Sequence, residues 1–190
     1  MASGNAGKIR EIARLLEGLG VDVVAQTELG VTDADETGTT FAENSLIKAQ
    51  HAAQATGLPA IADDSGLSVD ALDGAPGVYS ARYAGGAGDE ANNDKLLAAL
   101  EGVENRGAAF HCVATFVDPA ASEALVAAGE WRGSILHERQ GDGGFGYDPL
   151  FFVPDCYCSS AELTPEQKNA RSHRGQALRK LVELIQQKYA

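Results

Sequence analysis

Residues 59–72 read PAIADDSGLSVDAL. The first half is a short apolar run closed by Asp63 and Asp64, the pattern of a buried strand. The second half, GLSVDAL, alternates apolar and polar residues as a half-buried strand does. An ionised carboxylate costs several kcal/mol to bury unless something positive meets it, so the two adjacent acids need cationic partners. Successive strand side chains point to opposite faces, which sends Asp63 and Asp64 apart, one into a site and the other to a supporting position. A strand that ends in acids followed by Ser65-Gly66 is a common way to present a carboxylate at the carboxyl edge of a sheet. A plain strand-to-turn transition is the simpler alternative.

The whole chain bounds what those acids can serve. Its 190 residues are enough for one well-filled core, and the expectation is a single domain over 1–190, with a small lobe at most before any resemblance is considered. With 44% apolar and 22% charged residues it is composed like a globular protein. The net charge of −12 argues against a nucleic-acid polymer docking over a broad surface, but leaves room for a small anionic ligand at one basic spot. No run approaches the roughly 18 apolar residues of a membrane span. MASGNAGKIR has no apolar signal core, so the expected compartment is the cytoplasm. Cys112, Cys156 and Cys158 are too few for a disulfide framework, and CYC lacks the spacing of a zinc site.

Outward from the aspartates, KIREIARLLEGLG places Ile9, Ile12, Leu16 and Leu19 on one helical face, and VDVVAQ follows as a short strand. TTFAENSLIKAQHAAQATG opens with Thr40 three residues before Glu43, a capping-box pattern, and closes at Gly57. A helix is expected from about Asp89 to Leu100, then two neighbouring strands in AAFHCVATFVD and EALVAAGEWRGSI. LFFV is another strand, Thr164 caps a helix with Pro165 in its first turn, and GQALRKLVELIQQKY is an amphipathic helix. Helices and strands mix without a strict βαβ beat, so the fold class is α/β or α+β with a mixed sheet.

Four patches carry chemistry. SGNAGK, residues 3–8, sets Ser3, Gly4, Asn5, Ala6, Gly7 and Lys8 at a helix start, where outward-pointing N–H groups favour phosphate. It is not a Walker A loop, and read alone it is only a turn before a helix. Glu36 lies in a polar loop before a helix that carries Asn44 and Lys48 on one face, four residues apart. Asp63 and Asp64 form the third patch. In the fourth, Phe145 sits between glycines with Asp148 three residues on, and Lys168, His173 and Arg174 form a basic cluster. A ring to stack on, an acid to accept from a base N–H and donors for a keto oxygen make a nucleobase pocket. Each patch alone has a bland explanation, as a solvated face or a core side chain. Together they ask for a nucleotide and a divalent metal.

SGNAGK, ETGTTFAENSLIKA, ADDSGL, GAPGVYSARYAG, GGFGYDP and AELTPEQKNARSHRGQAL follow one another in this order. The set closely resembles the inosine triphosphate pyrophosphatase family, the XTP/dITP diphosphatases, over nearly the whole chain. The resemblance implies an elongated two-lobed α/β fold with the active site in the cleft between lobes. It implies a magnesium-dependent homodimer that hydrolyses dITP, ITP and XTP to monophosphate and pyrophosphate, keeping aberrant purines out of DNA and RNA. Ser3, Asn5 and Lys8 would then hold the triphosphate, Glu36 and Asp64 would bind Mg²⁺, and Asp64 would be the general base. Ser65 and Lys48 would assist at the phosphates. Phe145, Gly146, Tyr147 and Asp148 would hold the base, with Lys168, His173 and Arg174 completing that side. Attack at the α-phosphorus needs a positioned water and cations around the leaving pyrophosphate, which Lys8 and Lys48 would supply.

Hypoxanthine and xanthine carry a 6-keto acceptor where adenine carries an amino donor. A donor from His173 or Arg174 at that point leaves adenine mismatched by ~1–3 kcal/mol or more. Guanine shares the keto group, so its exclusion falls to pocket shape around the 2-amino group. A Maf-like pyrophosphatase for other nucleotides and a nucleotide sensor without turnover are the alternatives; GGFGYDP with SHRG disfavours the first, and Glu36, Asp64 and Lys8 the second. Family members run a short apolar strand into the first motif, whereas Met1 and Ala2 alone precede Ser3 here. The expectation from that departure is a truncated or late start, lower stability and a loosened phosphate loop.

Overall fold

The computed structural model describes residues 1–2, 6–17 and 20–189. Its helices are α1 (Ala6–Leu15), α2 (Phe41–Thr56), α3 (Asp89–Ala99), α4 (Pro165–Arg171) and α5 (His173–Tyr189). Its strands are β1 (Ala60–Val69), β2 (Gly107–Val117), β3 (Leu125–Ile135), β4 (Phe151–Val153) and β5 (Cys158–Ser159). They form one antiparallel sheet in the order β1-β2-β3-β4-β5, so each strand lies beside its neighbour in sequence. At its short end Ser134 pairs with Phe152, and Phe152 with Ser159. Helices and strands mix as the sequence implies, and the sheet is antiparallel rather than mixed because each strand pairs with its neighbour in sequence.

Local chemistry fixes the helix ends. The Thr40 hydroxyl accepts from the Glu43 N–H at 3.1 Å, and the Glu43 carboxylate accepts from the Thr40 N–H at 3.1 Å. Gly57, at φ +70°, closes α2 by donating to the Ala53 carbonyl at 2.8 Å. Thr164 and Gln167 form the same reciprocal box at α4, with Pro165 at its first turn.

Two expectations are corrected. The stretch 60–69 is one continuous strand, so Asp63 and Asp64 lie in its middle rather than at its end. The reason is downstream: Leu67 and Val69 are fully buried, which draws the chain straight through Ser65-Gly66. VDVVAQ does not join the sheet; residues 21–25 are irregular and Gln26–Leu29 form a 3₁₀ turn. Among the described residues Met1 bonds to it in a ladder-like way, and Ala2 bonds to β1. The Met1 ammonium donates to the Val24 carbonyl, Gln26 N–H to the Met1 carbonyl, and Ala2 N–H to the Ile61 carbonyl. Leu19 lies outside the described residues.

The chain divides into two compact units. The first comprises residues 1–64, 112–129 and 174–190. Ile12 and Leu16 pack there with Ile61, Cys112, Ala114 and the α5 stripe Ala177, Leu178, Leu181, Val182 and Ile185. A second cluster sets Ala49, Ala52 and Ala53 of α2 against Ala60 and Ala62 of β1. Such small side chains allow a close helix–strand approach. The second unit comprises residues 65–111 and 130–173. Its core holds Leu67, Val69, Leu96, Leu100, Phe110, Trp131, Tyr147 and Phe151. The Phe151 ring is fully buried, 4.6 Å from Phe110 and 5.1 Å from Trp131 between centroids. Replacing a buried Phe leaves a cavity the surroundings fill only in part, so Phe151→Ala is expected to cost about 3–5 kcal/mol. Urea unfolding checks it; a loss below about 1 kcal/mol means the ring is not the keystone of that core.

Candidate active site

In the first unit the close approach of α2 to β1 assembles an acidic cluster. Lys48 on α2 places its ammonium 2.9 Å from Glu36 Oε1 and 3.0 Å from Asp64 Oδ1. Asn44, one turn earlier, donates to Asp64 Oδ2 at 3.2 Å and accepts the Gly38 N–H at 2.8 Å. A Cβ on residue 38 would fall 2.6 Å from that same Asn44 oxygen, so glycine lets the Glu36 loop lie against α2. Two carboxylates share one ammonium.

The electrostatics follow from that sharing. Burial pushes the Asp64 carboxyl above its ordinary range; Lys48 pulls it down and the charge of Glu36 pushes it up again. Burial pulls the Lys48 ammonium down, but hydrogen bonding to Glu36 and the charge of Asp64 outweigh it and hold the group above normal. With all three ionised the cluster carries one excess negative charge. Its donors are hard carboxylate oxygens of the kind Mg²⁺ takes, and that ion is usually held by one or two carboxylates plus substrate phosphates and water. Among the described residues no group of three or more His, Cys, Asp and Glu is placed for a metal; Glu36 and Asp64 are two carboxylates that meet at one ammonium.

Asp63 turns the other way. Its Oδ2 accepts from Arg174 Nε on α5 at 3.2 Å and lies 4.0 Å from the Cys112 sulfur. The carboxylate is 2% exposed, so the guanidinium is what offsets its burial.

In the second unit the GGFGYDP loop is built around Asp148. Asp148 Oδ2 accepts the Phe145 N–H at 2.8 Å and pairs with the Lys168 ammonium of α4; its Oδ1 accepts from Ser160 Oγ at 2.7 Å. Gly144, at φ +77°, passes so close to that carboxylate that any Cβ there would land on it. The Phe145 ring is 62% exposed, with the Lys168 ammonium 4.7 Å from its centroid. Tyr147 points into the core and donates to the Ser80 carbonyl at 2.8 Å, and burial pushes its hydroxyl pKa well up. His173 is buried and stacked on Phe110 at 4.9 Å.

The structure thus gathers Glu36, Asn44, Lys48 and Asp64 in one cluster, Asp63 with Arg174 in a second, and Phe145, Asp148 and Lys168 in a third. Ser65 follows Asp64 in β1, half-buried. Ser3, Gly4 and Asn5 lie outside the described residues; Ala6, Gly7 and Lys8 open α1, their side chains outside the description. Sequence reasoning passed over Ser160, Asp89 and Asn93. The last two are spaced four apart on a predicted helix, the one signal available for them.

A helix-borne ammonium shared by a loop carboxylate and a strand carboxylate lies in the first unit, and a glycine loop presenting a ring beside a second ammonium lies in the second; both suit a phosphorylated, aromatic ligand. The chain belongs to the Ham1 family, which it matches over residues 1–184. A dITP/XTP pyrophosphatase of Pectobacterium atrosepticum is 59% identical over 189 residues, covering 97% of this chain and 96% of its own. The protein of that name from Escherichia coli O157:H7 is 57% identical at the same coverage. A HAM1 protein from Coxiella burnetii superposes with a TM-score of 0.92 at 48% identity, covering 97% of this chain and 96% of its own. The Staphylococcus aureus Ham1 protein gives 0.92 at 42%, covering 98% and 97%. The resemblance carried by the six ordered motifs is borne out.

Because Asp64 is raised in the folded protein, its ionised form weakens the fold as pH climbs through that raised value. Asp64→Asn removes this penalty and leaves Lys48 its partner Glu36. In metal-free buffer at neutral pH its melting temperature should match or exceed that of the unaltered protein, and a marked fall in a calorimetric scan would contradict this.

Proposed function

We propose that the protein hydrolyses nonstandard purine nucleoside triphosphates, dITP, ITP and XTP, to the monophosphate and pyrophosphate, keeping them out of DNA and RNA. The observation that carries this is the Lys48 ammonium shared by Glu36 and Asp64, in a chain whose relatives bear the name dITP/XTP pyrophosphatase. Two acids competing for one cation suit a site that must accept more positive charge with its substrate. The water oxygen bonds to the α-phosphorus, the bond from that phosphorus to the bridging oxygen of the leaving group breaks, and Asp64 takes the water proton. A carboxyl held above its ordinary range suits that task.

Glu36 and Asp64 would hold Mg²⁺, which supplies charge neutralisation at the phosphates. Lys48 and Lys8 serve as point charges for the leaving pyrophosphate. Ser3, Asn5 and Ser65 join them there, with the first N–H groups of α1, which opens at Ala6 directly behind SGN. On the base side the exposed Phe145 ring is the stacking surface, and Gly146 and Tyr147 carry the loop from it to Asp148. Asp148, buried and already accepting from Lys168, Ser160 and Phe145, acts through its hold on them. His173 and Arg174 are the donors assigned to the 6-keto oxygen. The chain works as a single domain with two lobes, as a homodimer in the cytoplasm, and no helix among the described residues is long and apolar enough to cross a membrane.

Pyrophosphate release with Mg²⁺ from ITP, XTP, dITP, ATP, GTP and dUTP tests the proposal. The expected kcat/KM for the first three exceeds that for ATP by at least ~10-fold, the ratio a single unmatched donor gives. Equal rates on ATP and ITP overturn it.

A further inference from the structure

In the loop GDGGFG, residues 141–146, Gly141, Gly144 and Gly146 all take positive φ, where glycine is at home and most residues are not. Three backbone groups of residues 145 and 146 are gripped by side chains. Phe145 N–H goes to Asp148 Oδ2 at 2.8 Å, Gly146 N–H to Asp89 Oδ2 at 2.7 Å, and the Gly146 carbonyl accepts from Asn93 Nδ2 at 2.9 Å. Asp89 and Asn93 are one turn apart on α3, so one helix face holds both sides of residue 146. That helix is itself fixed. Leu96 and Leu100 bury its far end, and the Asn92 amide accepts from Ala84 N–H and donates to the Ala81 carbonyl.

Asn93 is an expensive choice for the fold. It is 1% exposed, and its Oδ1 has no hydrogen-bond partner among the described residues. A buried position with one unmet acceptor favours an apolar side chain on stability grounds alone. What the amide gives in return is the bond to Gly146.

We propose that Asp89 and Asn93 are positioning residues for base binding: they set the Gly146 peptide so that the exposed Phe145 ring, with Lys168 beside it, is in place before a nucleobase arrives. This rests on the reading of residues 145–148 as the base side of the site. Without those bonds a glycine-rich loop has more backbone freedom to lose when the ligand binds, which weakens binding without changing the bond-breaking step. Loss of either grip therefore raises KM and spares kcat.

Steady-state kinetics with ITP and Mg²⁺ on Asp89→Ala, Asp89→Asn, Asn93→Leu and Phe145→Ala test this, each variant first checked by thermal melting. Asp89→Ala and Asn93→Leu should raise KM roughly five- to tenfold, the scale of one lost hydrogen bond, with kcat within about twofold. Asp89→Asn keeps an acceptor for the Gly146 N–H and should stay near the unaltered KM. If Asn93→Leu does not fold, the Asp89 pair at the exposed start of α3 carries the test. A raised KM in Phe145→Ala alone overturns the positioning role and leaves the base side standing. An unchanged KM in Phe145→Ala removes the base-side reading and this proposal with it. Parallel loss of kcat in all the α3 variants, Asp89→Asn included, marks structural damage and also overturns it.

Discussion

One ammonium between two carboxylates organises the first unit. Lys48 reaches Glu36 and Asp64 together because α2 lies close on β1, and it lies close because the facing residues are alanines. Bulkier side chains at Ala49, Ala52 or Ala53 would lift the helix and part the cluster. The capping box at Thr40 and Glu43 starts α2 where Asn44 and Lys48 share the face toward Asp64. Gly38 then lets the Glu36 loop settle against Asn44. Burial, a capping motif and a missing Cβ all serve one arrangement of charge.

The middle of β1 separates two duties by the simplest property of a strand. Asp64 faces Lys48, while Asp63, one residue earlier, faces Arg174. Each acid has a cation, but their situations differ. Asp63 is closed off against the Arg174 guanidinium, and breaking such a pair by removing one member commonly costs about 3–5 kcal/mol, so its first contribution is to hold the fold. Asp64 must share its cation with Glu36, and burial keeps its carboxyl above the ordinary range. A group that the fold would prefer neutral, retained beside a second acid, is the mark of a site where stability yields to function.

The sequence was legible where structure is local. The capping boxes at Thr40 and Thr164, the stop at Gly57, the α5 stripe and the glycine loop before Asp148 follow from neighbouring residues, and each is present. Illegible features depend on partners far along the chain. Ser65-Gly66 reads as a turn until burial of Leu67 and Val69 draws it straight. VDVVAQ has strand composition, but among the described residues it bonds to Met1 rather than to a strand of the sheet. Within the candidate site, Glu36, Lys48, Asp64, Phe145 and Lys168 were identifiable as chemistry-bearing residues, but who pairs with whom was not. Asp148 looks like an acceptor for a base until Ser160 and Lys168 are seen to occupy it. The grip of α3 on Gly146 spans more than fifty residues, and no local pattern reveals it.

Along β1, Asp64 faces the shared ammonium and Asp63 the Arg174 guanidinium, and that difference in partners predicts a difference in work. The most direct measurement is kcat for ITP hydrolysis with saturating Mg²⁺ in Asp63→Asn and Asp64→Asn, compared at a temperature where circular dichroism shows both folded. Loss of a group that takes the reacting proton lowers kcat by at least ~100-fold, so Asp64→Asn should fall that far while Asp63→Asn keeps kcat within about tenfold. Equal losses in the two variants, or the larger loss in Asp63→Asn, would contradict the division of labour along β1.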